Sequence, residues 1–186
     1  MNYINNLGDY VELLHALLST LTQGRAVVQY DDEPEKQGKP CPFIKLPLPE
    51  IVETSFANDG RQQDTLEVTV LIKAPKNLNK ASIAAANIGG FVRGEIAQET
   101  FTNPQRLGEH PALASEHRCV DTAVEIQGYP LKWETNDHGY AIKFEQTIRY
   151  GSVDHPAFIL NAIDVSESGE TERVYERDTQ TNPEFS

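Results

Sequence analysis

Residues 65–74 read TLEVTVLIKA, and this stretch decides the fold class. Leu66, Val68, Val70 and Ile72 alternate with Glu67, Thr69, Leu71 and Lys73. Successive side chains of a strand point to opposite faces, so the alternation predicts a strand with one buried and one partly wet face. Pro75 has no backbone donor and ends it. The period then changes. From about Asn79 to Gln98, the residues Ile83, Ala84, Asn87, Ile88, Phe91, Val92 and Ile96 share one side of a helical wheel. Gly89 and Gly90 each cost roughly 1 kcal/mol relative to Ala inside a helix, which predicts close backbone packing there, against the sheet.

Toward the N-terminus, FIKLPLPEIVETSF (residues 43–56) reads as an extended stretch kinked at Pro47 and Pro49. Asn58, Asp59 and Gly60 then mark a turn into the central stretch. Residues 31–42, DDEPEKQGKPCP, form a charged loop in which Pro34, Pro40 and Pro42 exclude a central strand. RAVVQY (25–30) precedes it as a strand. The first element is a helix: Leu7, Val11, Leu14, Leu18 and Leu21 recur at helical spacing, widened by Tyr10, Leu13 and Leu17. Asn5 or Asn6 caps its start, and Gly24 supplies a left-handed stop.

Toward the C-terminus, residues 99–117 are irregular. RCVDTAVEIQ is expected to place Val120, Thr122, Val124 and Ile126 on one strand face. AIKFEQTIRY is expected to place Ile142, Phe144, Gln146, Ile148 and Tyr150 on one face, with Ala141, Lys143, Glu145, Thr147 and Arg149 opposite. Asn136, Asp137 and Gly139 give the linker a turn signature. Strands and helices in this order define an α+β chain. We expect one domain over residues 1–153, followed by an acidic C-terminal arm over 154–186. Phe158, Ile159, Leu160, Ile163 and Val165 could dock that arm as a strand or clip. Beyond Ser166 the chain has too few apolar residues to order itself alone.

The formal net charge is −12, from 28 acidic and 16 basic residues. Such a chain repels phosphate backbones, which argues against a nucleic-acid reader. Cys41 and Cys119 are far apart and lie in no C-x-x-C motif, as expected of reduced thiols. The start, MNYINNLGDY, lacks the basic region of a signal peptide, and the apolar stretch Tyr10–Leu21 is too short and polar to span a bilayer.

No motif carries a reaction. P-loop, dinucleotide fingerprint, G-x-S-x-G and H-E-x-x-H patterns are absent. His117 and Cys119 would bind a metal only if groups such as His110 and Asp121 joined them; a loop-to-strand junction accounts for them far more simply. Cys119 reads as a buried small hydrophobe. Glu95 and Glu99 read as a solvated helix face. We therefore expect no catalytic, cofactor or metal residues, and assign partner contacts to Phe56, Asp59, Arg61, Phe158 and Leu160.

The order of elements resembles the tail-terminator (tail-completion) proteins of long-tailed bacteriophages. The resemblance is carried by the amphipathic helix YVELLHALLSTL, the Pro-flanked KLPLPEIVETSF, the strand TLEVTVLIKA leading into KASIAAANIGGFVRGEIA, and the closing strand KFEQTIRY, over residues 4–150. The segment after Tyr150 departs from the family pattern. The resemblance implies a mixed sheet with two helices packed on one face. It implies a hexameric ring in the virion tail or neck, assembled in the host cytoplasm. That ring would stack on the tail-tube protein and offer a surface to the head–tail connector, while DNA passes through without specific binding. Physics gives a parallel reason for assembly, because edge strands such as EIVETSF and TLEVTVLIKA would invite strand addition if left bare. The alternatives are a connector or stopper protein of the phage neck, a small enzyme with an unrecognised site, and a monomeric adaptor that binds peptide at a strand edge.

Overall fold

The computed structural model describes residues 3–34, 41–103, 105–107, 119–132, 138–152, 162–167 and 170–176. The expected contacts Phe158 and Leu160 lie outside these residues, as do His110, His117, Trp133 and the Asn136–Asp137 turn. The chain divides into two compact units, residues 1–153 and 154–186.

The first unit is α+β. Its elements are α1 (Leu7–Leu21), β1 (Val27–Tyr30), β2 (Phe43–Leu46), β3 (Glu50–Phe56), β4 (Gln62–Ala74), α2 (Ala81–Ile96), β5 (Val124–Lys132) and β6 (His138–Arg149). They form a 6-stranded mixed sheet in the order β1-β2-β4-β6-β5, with β3 also paired to β4. Only β1 and β2 run parallel; the other pairs are antiparallel. Both helices cover the same face, where Leu66, Val68, Val70, Ile72, Ile142, Phe144 and Ile148 are buried with the apolar sides of α1 and α2.

The alternation in TLEVTVLIKA holds at every position, yet the stretch is not an edge. β4 is the centre of the sheet: β6 pairs along one side from Gln63 to Ala74, while β3 and β2 share the other. Its length and lack of proline allow this double pairing. The sheet-edge expectation therefore survives only for EIVETSF, which is β3.

α1 follows the sequence reading. Asn6 caps it by accepting from the Asp9 N–H at 3.0 Å, and Tyr10, Val11, Leu13, Leu14, Leu17 and Leu18 are buried. α2 is rotated from its expected face. Ala81, Ala85, Gly89, Val92 and Ile96 are buried, while Ile83 and Asn87 are exposed. The cause is the ring of Tyr140 on β6. A Cβ on Gly89 would sit 2.4 Å from Tyr140 Cδ1, so only glycine lets the helix lie this close. Gly90 faces open space, which corrects the expectation that both glycines pack on the sheet.

The expected face of Val120, Thr122, Val124 and Ile126 is also broken. Val120 is buried, but Thr122 and Val124 are exposed. Thr122 lies before β5 begins, and within β5 a register shift between Val124 and Gln127, with Glu125 at φ 51°, re-aims the side chains.

In the second unit, β7 (Ala162–Glu167) pairs antiparallel with β8 (Glu170–Glu176). The stretch beyond Ser166 thus contains a strand that was not expected there. Thr171, Val174 and Tyr175 have the β-branched and aromatic character that favours one.

Candidate functional site

Among the described residues, the β3–β4 hairpin and the Leu48 just before it carry most of the large exposed apolar side chains. Every residue of β3 except Ser55 is exposed, on both strand faces. Ile51 and Val52 are 51% and 58% exposed, and Phe56 and the preceding Leu48 are each 76% exposed. Among the described residues β3 pairs with β4 along one side only, and no strand pairs with its other side. The pairing assigns the side chains. Ile51, Thr54 and Phe56 lie opposite Leu66, Asp64 and Gln62, on the helix-bearing side of the sheet. Glu50, Glu53 and Ser55 lie opposite Glu67, Thr65 and Gln63, on the other side. A register shift between Ile51 and Glu53 places both Ile51 and Val52 at the edge.

The hairpin tip is held by hydrogen bonds from both its backbone and its side chains. At its tip Ala57 donates its N–H to Arg61 O at 2.8 Å, and Gly60 takes φ 83°, a conformation that suits glycine. Asp59 Oδ2 accepts from Arg61 Nε and Nη2 at 2.9 and 2.7 Å, and Oδ1 accepts the Arg61 backbone N–H at 3.1 Å. These bonds hold the Asp59 carboxyl down, at about 2. Arg61 itself is buried. Its Nη1 reaches Gly151 O at 3.4 Å and Cys119 Sγ at 3.5 Å, tying the hairpin to the segments flanking β6. One strand further in, buried Asp64 accepts from Thr54 Oγ1 at 2.7 Å and from the Tyr150 hydroxyl at 2.6 Å. Burial and then the Asp64 carboxylate push the Tyr150 hydroxyl up. Arg149 closes the cluster with a two-pronged pair to Asp121, both contacts at 2.7 Å.

Of the sequence-assigned contact residues, then, Phe56 projects outward, whereas Asp59 and Arg61 bind each other and position the turn. Cys119 is fully buried. Glu99 is not on a solvated face: it is buried beyond the end of α2, where Oε1 accepts the N–H groups of Thr100 and Phe101 at 2.9 and 2.7 Å. Arg106 bridges Glu99 and Glu95. His15 stacks on Tyr30 with ring centroids 4.5 Å apart.

The surface also has concave regions. A cleft of about 680 Å³ lies between α1 and the β1–β2 end, lined by Val11, Glu12, Tyr30, Asp31, Leu46 and Leu48. A smaller pocket of about 110 Å³ is lined by Thr22, Arg25, Asn87, Ile88 and Phe91, with Arg25 placed 4.9 Å over the Phe91 ring. Sequence reasoning missed Leu48, Arg25 and this pocket. The Pro-flanked Leu48 was a usable signal, since a leucine between two prolines cannot join a ladder on both sides. Among the described residues, no cluster of three His, Cys, Asp or Glu is arranged to hold a metal ion, and no helix is long and apolar enough to cross a membrane.

No family model matches the sequence, and no curated protein matches it. Among solved structures, the fold is similar to a chain from the virion of a native gene transfer agent particle, at 11% identity and a TM-score of 0.40, over 75% of this chain and 90% of that chain.

Proposed function

We propose that this chain is a non-enzymatic structural subunit of a phage-type virion. In this reading it forms a hexameric ring that ends the tail tube and joins it to the head-side connector. The observation that carries the reading is the β3 edge: a strand in which Ile51, Val52 and Phe56, with Leu48 just before it, are all more than half exposed. A strand edge with this many exposed apolar side chains invites association, and natural proteins rarely leave one bare. A contact between two different surfaces of one subunit closes into a ring when its rotation permits. The element order resembling tail-terminator proteins supplies the particular assembly. The net charge of −12 suits a ring through which DNA passes without sticking.

Mass photometry and negative-stain imaging of the full chain, alone and with tail-tube protein, test this. Rings that bind tube ends are the expected result. A monomer at all concentrations, with and without tube protein, would overturn it. Rings that bind portal-side protein and ignore tubes would favour the connector or stopper reading.

A further inference from the structure

We infer that β3 of one subunit docks across the outer face of α2 in a second copy, in a head-to-tail contact. This rests on the ring-forming reading above and names the surfaces that would build the ring.

β3 presents two different chemistries on its two faces. Phe56 and Ile51 stand on one side, Glu50 and Glu53 on the other. The outer face of α2 also has two different flanks. Phe91 and Arg93 are two residues apart, so they lie roughly 200° apart around the helix. On the Phe91 flank is the 110 Å³ pocket, with the Arg25 guanidinium on its wall over the Phe91 ring. On the other flank is the exposed Arg93. Neither Arg25 nor Arg93 has a carboxylate partner among the described residues, and Glu53 likewise has no basic one. An apolar side chain thus has an apolar pocket to enter, and an unpaired acid has an unpaired base to meet.

Level with Phe91 and Arg93 the crest between the flanks is low: C-terminal to the outward-pointing Ile83 it is occupied by Ala86, Gly90 and Gly94, and a Cβ on either glycine would meet nothing within 4 Å. Glycine in a helix interior is unfavourable, and among the described residues no packing contact requires either one. A low crest admits the backbone of an approaching strand. Phe56 and Glu53 are three residues apart, so about 10 Å of strand separates them. A helix with its side chains is about 10–12 Å across, so a strand straddling it can seat Phe56 in the pocket and bring Glu53 to Arg93. Because β3 and α2 are different surfaces of the same subunit, the contact is heterologous and repeats from copy to copy.

The test uses the full chain with Cys41→Ser to remove the half-exposed thiol, leaving buried Cys119. Phe56→Cys combined with Asn87→Cys should give, on mild oxidation, a ladder of covalent multimers ending at the ring size. Each single cysteine variant should stay uncrosslinked. Separately, Glu53→Arg and Arg93→Glu should each raise the half-assembly concentration at least tenfold, and the double reversal should restore it. Circular dichroism and thermal unfolding check that each variant is folded. If the wild type forms rings but the paired cysteines give no ladder and the charge reversals assemble normally, this contact is wrong and the ring reading stands. Dimers from Phe56→Cys alone would mean that two β3 edges pair with each other, which also overturns it. If the wild type never assembles, the ring reading itself falls.

Discussion

Tyr10 on α1 donates its hydroxyl to Gln146 Oε1 on β6 at 2.5 Å, inside the core. Both groups are almost fully buried, and Gln146 Nε2 donates onward to Asp121 O at 2.7 Å. This polar chain fixes how the first helix sits on the sheet. Burial alone pushes the Tyr10 hydroxyl up, so it stays a donor at any ordinary pH. Tyr10→Phe keeps the ring but leaves the Gln146 oxygen buried without that partner. The expected loss is about 1–3 kcal/mol, read as a lower urea midpoint with an unchanged slope. No measurable loss would mean that water or another donor replaces the hydroxyl.

Gly89 and Gly90 are adjacent yet should respond in opposite directions. Gly89→Ala drives a methyl into the Tyr140 ring, and overpacking of this kind costs about 1–3 kcal/mol. Gly90→Ala meets nothing within 4 Å and should stabilise the isolated subunit by about 0.5–1 kcal/mol through helix propensity. Thermal melts of the two variants, measured at a concentration where the chain is monomeric, check the pair. Equal effects of the same sign would show that α2 does not sit on Tyr140 as described.

The Asp59–Arg61 pair gives the hairpin a pH dependence with a defined sign. The Asp59 carboxyl is lowered from an ordinary 3.8 to about 2, first by the Arg61 side-chain hydrogen bonds. A depressed carboxyl contributes stability that is complete above the unfolded value and is lost as pH falls through the folded one. The wild type should therefore exceed Asp59→Asn in stability at about pH 5, and the gap should close on acidification toward about pH 2. Paired denaturation series across that window read the effect. A gap that is constant with pH would assign the Asp59 contribution to the shape of the turn.

Where the fold was legible in the sequence, the signal was periodic and local. β4 alternates from Leu66 to Ala74, and α1 keeps its leucines on one side, because each pattern repeats over enough residues to fix a face. α2 misled because its buried face is made of Ala81, Ala85 and Gly89, which weigh little in a hydrophobic pattern, while the bulkier Ile83 points outward. The Glu125 irregularity and the parallel β1–β2 pair depend on chain segments far apart, and no local period encodes them. Phe56 was legible as an aromatic beside a turn. Arg61 was not legible as buried, because its role requires Gly151 and Cys119, which only the folded chain brings together.

The apolar core cluster of the first unit is drawn from residues between Ile4 and Ile148, with Tyr150 packed against it. Its last backbone ties are Tyr150 N–H to Gln62 O at 3.0 Å and Gly151 N–H to Ile4 O at 2.7 Å. Those two bonds join the end of β6 to the β3–β4 hairpin and to the chain start, and both lie before residue 154. A chain ending at Val153 therefore keeps the whole cluster and both ties. It should unfold in one cooperative step, within about 0.5 kcal/mol of the full-length first unit, as expected when none of the core residues named here is removed. Urea denaturation of the 1–153 fragment beside the full chain measures this, and mass photometry on the same samples separates folding from assembly. Normal folding with weaker rings would assign residues 154–186 to contacts between subunits. Normal folding with unchanged rings would free assembly from the arm and leave it to β3 and α2. A fragment that fails to fold would place part of residues 154–186 in the core and move the domain boundary toward the C-terminus.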